Sequence, residues 1–184
     1  MIDVKAELRR QAVLTLTRAR ESMEQIGAFD LSFGYITRDG LFRFLKLPEQ
    51  VREGMNSGEA KDKIFALMRM YVEAVGALGS LFAGEMFLGK TTPAARGLSR
   101  EELNRLCVEP RFEEGVRRGL IKRTEAIHVV IQTPEFMIHF IQEFERDYKL
   151  RVVTFGPVDE HEMPQDQFQG REKMFGAPSK SSLL

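Results

Sequence analysis

Apolar residues recur at steps of three and four across residues 3–26: Val4, Leu8, Ala12, Leu16, Ala19, Met23 and Ile26. On a helical wheel they form one stripe, with charges on the other faces, which predicts a long amphipathic helix ended by Gly27. The stripe needs a partner, either the domain's own sheet or a second subunit. Lys5 and Arg9 fall on any extended heptad seam, so a coiled coil is the weaker reading. Beyond Gly27 the period changes to two. Phe29, Leu31, Phe33 and Tyr35 alternate with smaller or polar residues, and Asp39-Gly40 marks a two-residue turn, predicting a hairpin over residues 28–47. That turn sets Thr37 opposite Phe42 and Tyr35 opposite Phe44, and so puts the aromatic residues of both strands on one face. Pro48 closes the hairpin, and residues 53–58 read as a loop. Ala60, Ile64, Leu67, Met68, Tyr71 and Val75 predict a helix over 59–76. The alternation of Phe82, Gly84, Met86 and Leu88 with their neighbours predicts a strand over 80–88.

A Gly/Pro/Thr loop follows over 89–98. Ser99 with Glu102 forms a capping box that opens a short helix, and Pro110 suits the start of another, carrying Phe112 and Val116 and ended by Gly119. Residues 125–132 are a nearly unbroken apolar run, as expected of a strand buried on both faces. Thr133-Pro134-Glu135 resembles a helix start, and Phe136, Phe140, Phe144 and Tyr148 then recur every four residues, predicting a helix over 134–148. Leu150 to Phe155 reads as a last strand closed by Gly156-Pro157, joined to 125–132 by a right-handed crossover. The expected fold is α/β or α+β, with a single mixed sheet of about five strands in the order α-β-β-α-β-αα-β-α-β and helices packed on it. Residues 1–157 form the expected domain. From Val158 the composition turns polar, and 158–184 is expected to be a disordered tail.

The totals narrow the function classes. Lys plus Arg and Asp plus Glu both equal 27, so the net charge is zero and gives no global drive toward nucleic acid or an anionic membrane. Near-neutrality also leaves little repulsion against self-association. Phe numbers 14 and Trp is absent, which favours a dry core. Cys107 is the sole cysteine, which fits a reducing, cytoplasmic setting. The N-terminal residues do not read as a signal peptide, and the most apolar window, 64–84, is broken by Arg69 and Glu73, so no membrane span is expected.

Two stretches carry candidate chemistry. Gly84-Glu85-Met86-Phe87-Leu88-Gly89-Lys90-Thr91 fits G-x-x-x-x-G-K-[ST], in which loop N–H groups cradle phosphates, the lysine meets the terminal phosphates and the hydroxyl binds Mg²⁺. With its Met-Phe pair the stretch resembles the phosphate loop of type II thymidine kinases. The resemblance implies a Mg-nucleotide held by Gly84, Gly89, Lys90 and Thr91. It covers those eight residues, and the chain departs from the family pattern: Pro93 and Gly97 interrupt the helix that should follow, and neither downstream strand ends in an acidic residue. The second stretch lies within residues 98–132, which resemble a winged helix-turn-helix. Between Gly89 and Arg123 bases outnumber acids by four, and Arg117, Arg118, Lys122 and Arg123 are the candidate nucleic-acid contacts.

Other groups offer less. His161 lies within Asp159-Glu160-His161-Glu162, a possible metal-ligating run; His128 sits in an apolar strand and His139 on a polar helix side. No nucleophile with a partner emerges, and Cys107 reads as buried. Function stays open at this stage. The first expectation is a non-enzymatic protein-interaction or regulatory module that binds a protein or itself; the alternatives are a nucleotide-binding enzyme and a nucleic-acid binder.

Overall fold

A computed structural model describes residues 2–45, 47, 58–106, 111–149, 151–167 and 173–175. Helix α1 spans Val4–Ile26; β1, Ser32–Ile36; β2, Phe42–Leu45; α2, Gly58–Ala74; and β3, Gly79–Thr91. A 3₁₀ turn at Pro93–Ala95 leads to α3, Arg100–Leu106, and α4, Arg111–Arg117. Three long strands follow: β4, Ile121–Gln132; β5, Phe136–Asp147; and β6, Val152–Pro164, with a final 3₁₀ turn at Gln165–Gln167. The strands form one six-stranded sheet in the order β2-β1-β3-β4-β5-β6, antiparallel at every pairing. The expected class, one sheet with helices packed on it, holds. Residues 53–57 of the loop expected over 53–58, Pro48, Pro110 and Cys107 lie outside the described residues.

Each face of the sheet has its own core. On one face α1 buries Leu8, Ala12, Leu16, Ala19 and Met23 against Leu81, Ala83, Ile127, Val129, Ile131, Ile138 and Phe140. The apolar stripe is thus spent on the chain's own sheet. The Asp3 side chain accepts from the Ala6 N–H at 3.0 Å to start the helix, and Gly27 ends it in the left-handed region at φ 73°. Lys5 and Arg9 tie its outer side to Glu162 and Glu160 of β6 at 2.5–3.2 Å. On the other face α2 brings Ile64, Phe65, Met68 and Val72 onto Phe33, Tyr35 and Phe82. A smaller cluster of Leu106, Leu120, Ile121 and Phe112 seats α3 and α4 at the far end of β3 and β4.

Three sequence expectations are corrected. The first hairpin pairs Ile36 with Phe42 and Gly34 with Phe44, one residue away from the expected register. Its turn has three residues, with Gly40 at φ 85°, its N–H donating to the Thr37 carbonyl and the Thr37 N–H to the Leu41 carbonyl. A one-residue slip moves every side chain to the opposite face. Phe33 and Tyr35 therefore join the α2 core while Phe42 packs with the α1 core, its ring lying over Gly34.

The second correction concerns residues 136–147, which form β5 rather than a helix, so a meander replaces the crossover. The Thr133 hydroxyl accepts from the N–H groups of Glu135 and Phe136 at 3.2 Å, and the Thr133 N–H donates to the Phe136 carbonyl at 2.9 Å, closing a tight turn. The third is the end of the last strand. Gly156-Pro157 does not stop β6: two residues bulge opposite Glu143, pairing resumes at Val158 with Gln142, and the strand continues to Pro164. Pro157 is tolerated because β6 is an edge strand. Further on, Met174 and Phe175 are buried in the α2-side core.

Candidate functional site

The two candidate stretches meet. Gly89 is the cross-strand partner of Arg123, Lys90 of Lys122, and Thr91 of Ile121. Together with Arg117 and Arg118 at the end of α4, they build a basic end on the β3–β4 pair. The phosphate-binding geometry is not there. From Gly84 to Thr91 every residue has a partner on β4 in one continuous ladder, so this stretch is a strand and its N–H groups alternate in direction instead of converging on an anion. Lys90 is held at 2.6 Å by Glu143 of β5. Gly89 serves packing: a Cβ there would stand 2.6 Å from the Phe112 ring. The alternative of a Mg-nucleotide on Gly84, Gly89, Lys90 and Thr91 thus loses its geometric basis.

The basic residues are partly neutralised by acids of α4. Arg118 pairs with Glu114 at 3.3 Å and Arg123 with Glu113 at 3.2 Å. The Arg123 guanidinium also lies 3.4 Å from the centre of the exposed Phe87 ring. Arg96, Arg100, Arg111, Arg117 and Lys122 have no ion pair among the described residues. Between α3 and α4 lies a crevice of about 240 Å³ floored by Leu98, Leu106 and Leu120, with Arg105, Arg111 and Arg118 around it.

The same strand carries an open edge. Strand β1 pairs with β3 only from Gly79 to Ala83. From Gly84 onward the side of β3 facing away from β4 has no partner strand among the described residues. Phe87 is exposed along it, with Met86 and Leu88 half-buried. A polar clamp sets its base: Arg146 of β5 donates to Glu85 at 2.6 Å, to Glu125 at 3.2 Å and to the Gly27 carbonyl, while Glu85 accepts from the Phe29 N–H at 2.6 Å.

The three histidines of the chain lie on neighbouring strands β4, β5 and β6. His128 Nε2 is 2.8 Å from His139 Nδ1, and the rings stack at 5.1 Å with a 9° interplanar angle. His139 and His161 are cross-strand partners. Burial, then the neighbouring His139, pushes the His128 pKa down to about 3; burial, then His161, lowers that of His139. The metal-ligating run around His161 is divided by strand alternation: Glu160 and Glu162 turn to α1 and His161 to the other face. No group of three or more His, Cys, Asp or Glu among the described residues is arranged to hold a metal. No helix there is long and apolar enough to cross a membrane.

The histidine pair and Arg146 escaped the sequence reading because they depend on β5; read as a strand, residues 136–147 would have faced 121–132 across a hairpin. Comparison of the chain with family models, with curated proteins and with solved structures finds no match.

Proposed function

We propose that this chain is a non-enzymatic protein-interaction module that self-associates through the open edge of β3, in a cytoplasmic setting. The observation that carries the reading is the side of β3 from Glu85 to Thr91, which has no partner strand among the described residues and is flanked by exposed Phe87. Unpaired strand N–H and C=O groups are a template for another strand. The α1 stripe no longer competes for this role, since it is buried internally. The outer edge of β6 is guarded by Pro157, Asp159, Glu160 and Glu162, charges and prolines of the kind that deter edge pairing. Zero net charge sets no long-range barrier to association. The test is light scattering on the full chain across micromolar to millimolar concentration, with Phe87→Lys beside it. A dimer weakened by the substitution is the expected result. A chain that stays monomeric throughout, or a dimer indifferent to Phe87→Lys, overturns the proposal.

The cations without ion pairs, Arg117 and Lys122 foremost, favour a second reading, binding of a nucleic-acid backbone at the same end of the sheet. It requires affinity for single- or double-stranded oligonucleotide that falls steeply with salt and drops on Lys122→Ala. Flat or undetectable binding at low salt removes it.

A further inference from the structure

The segment 173–175 sits on the α2 side of the sheet, held in two ways. Its side chains Met174 and Phe175 are 3% and 9% exposed and belong to the same cluster as Phe33, Phe65, Met68 and Phe82. Its backbone is gripped by two buried glutamines. The Met174 N–H donates to Gln132 Oε1 at 2.8 Å, and Gln165 Nε2 donates to the Phe175 carbonyl at 3.2 Å and lies 3.4 Å from Gln132 Oε1. Gln132 stands at the end of β4 and Gln165 directly after β6, so both are fixed by the sheet rather than by the tail. An amide that reads an N–H and another that reads a C=O, beside pockets for two apolar side chains, is the arrangement by which proteins hold extended peptides.

The occupant leaves part of the seat unused. Gln165 Oε1 is buried and accepts no hydrogen bond among the described residues. Buried acceptors are ordinarily satisfied, and one left empty beside a bound peptide backbone is a place where a better-fitting peptide gains an interaction.

We propose that this seat is a peptide-docking site, filled in cis by Met174-Phe175 and taken over in trans by an extended segment of another protein that presents a methionine-like apolar residue followed by an aromatic one. The partner's backbone supplies the N–H and C=O that Gln132 and Gln165 read, and a further N–H for Gln165 Oε1. The site lies on the α2 face and does not depend on the open edge of β3.

The experiment uses the full chain. In Met174→Glu/Phe175→Glu the seat is emptied, because two carboxylates cannot enter an apolar pocket. A fluorescent peptide of residues 171–178, Arg-Glu-Lys-Met-Phe-Gly-Ala-Pro, is titrated into this variant and into the unaltered chain. Saturable binding to the variant, at least about tenfold tighter than to the unaltered chain, is expected, since a seat occupied in cis is accessible only for the fraction of time it stands open. A peptide with both anchors replaced by Ala should not bind. Absence of saturable binding to the folded variant, or equal affinity for both chains, overturns the proposal. Should the variant lose its far-ultraviolet circular dichroism, hydrogen exchange on the unaltered chain decides. Excess unlabelled peptide should speed exchange at the Met174 amide and leave Ile131 unchanged; no change at Met174 overturns it. Light scattering separates a second copy from a foreign partner. Loss in the variant of a dimer formed by the unaltered chain would assign the seat to a neighbour's tail and overturn the foreign-peptide reading.

Discussion

The buried pair His128 and His139 makes stability depend on pH in a way that can be worked out from position. His128 is 8% exposed, its ring is stacked on His139, and its pKa falls from 6.5 to about 3. The unfolded chain binds a proton at this site near pH 6.5 while the folded chain does not until near pH 3. Stability from the neutral pair is therefore fully present above pH 6.5 and is lost as the pH falls through the window down to 3. At pH 5 the loss from His128 alone amounts to about 2 kcal/mol relative to pH 7.5, taking about 1.4 kcal/mol per pH unit. His139 titrates with it, and its own lowered pKa adds in the same direction. Urea unfolding at pH 7.5, 6 and 5, comparing the unaltered chain with His128→Gln, isolates the effect from the carboxylates, which both chains share. The variant starts less stable, having lost the ring packing, but its stability should fall by about 2 kcal/mol less between pH 7.5 and 5. Parallel pH profiles for the two chains would refute the buried neutral pair.

Three further outcomes are expected. Phe33 is fully buried in the α2-side core, so Phe33→Ala should cost about 3–5 kcal/mol, read as a fall in the urea midpoint. Gly40 has φ 85° and its would-be Cβ lies 3.2 Å from Ile2, so Gly40→Ala should cost about 1–2 kcal/mol in the same assay. Arg146→Met leaves Glu85, Glu125 and the Gly27 carbonyl without their shared donor, and its 16% side-chain exposure places the cost at about 2 kcal/mol, below that of a fully buried ion pair. Salt should narrow the gap between Arg146→Met and the unaltered chain only slightly, because the clamp is largely shielded from solvent.

The legible parts of the fold are those where one period excludes the other. The α1 stripe is spaced for a helix and for nothing else, and it forms with the cap and stop that Asp3 and Gly27 supply. The capping box at Ser99 and Glu102 forms as read, with the Ser99 N–H donating to Glu102 at 2.8 Å and the Glu102 N–H to the Ser99 hydroxyl at 3.2 Å. The misread parts are those where two periods coincide. Phe136, Phe140 and Phe144 at four-residue spacing fit one face of a helix, but four is also twice two, and in β5 they share one face of a strand. Asp-Gly likewise serves both a two-residue turn and a three-residue turn whose last residue is left-handed, and the choice decides which core Phe42 enters. At the candidate site, the sequence marked Lys90, Arg117, Arg118, Lys122 and Arg123 but could not say that Lys90 faces Lys122, or that Glu143 arrives from β5 to pair with it. Those are facts of register between strands far apart in the chain.

Register also explains why interaction is sought at the end of β3 rather than along α1. A helix stripe can serve its own fold or a partner, and the stripe on α1 meets a sheet face of matching apolar residues, with Lys5 and Arg9 anchoring its outer side to β6. What the fold leaves unfinished follows from strand length. Strand β3 runs on to Thr91 while β1 covers it only as far as Ala83, because β1 is 5 residues long and β3 is 13. Among the described residues the excess of β3 is paired on the β4 side alone. It is, among those residues, an extended strand with one free ladder, an exposed Phe87 and cations at its tip, and the phosphate-loop pattern that the same residues spell is incompatible with it. An anion nest needs consecutive N–H groups pointing inward, whereas a strand sends them alternately to either side. Gly84 to Thr91 can do only one of these, and the ladder to β4 decides which.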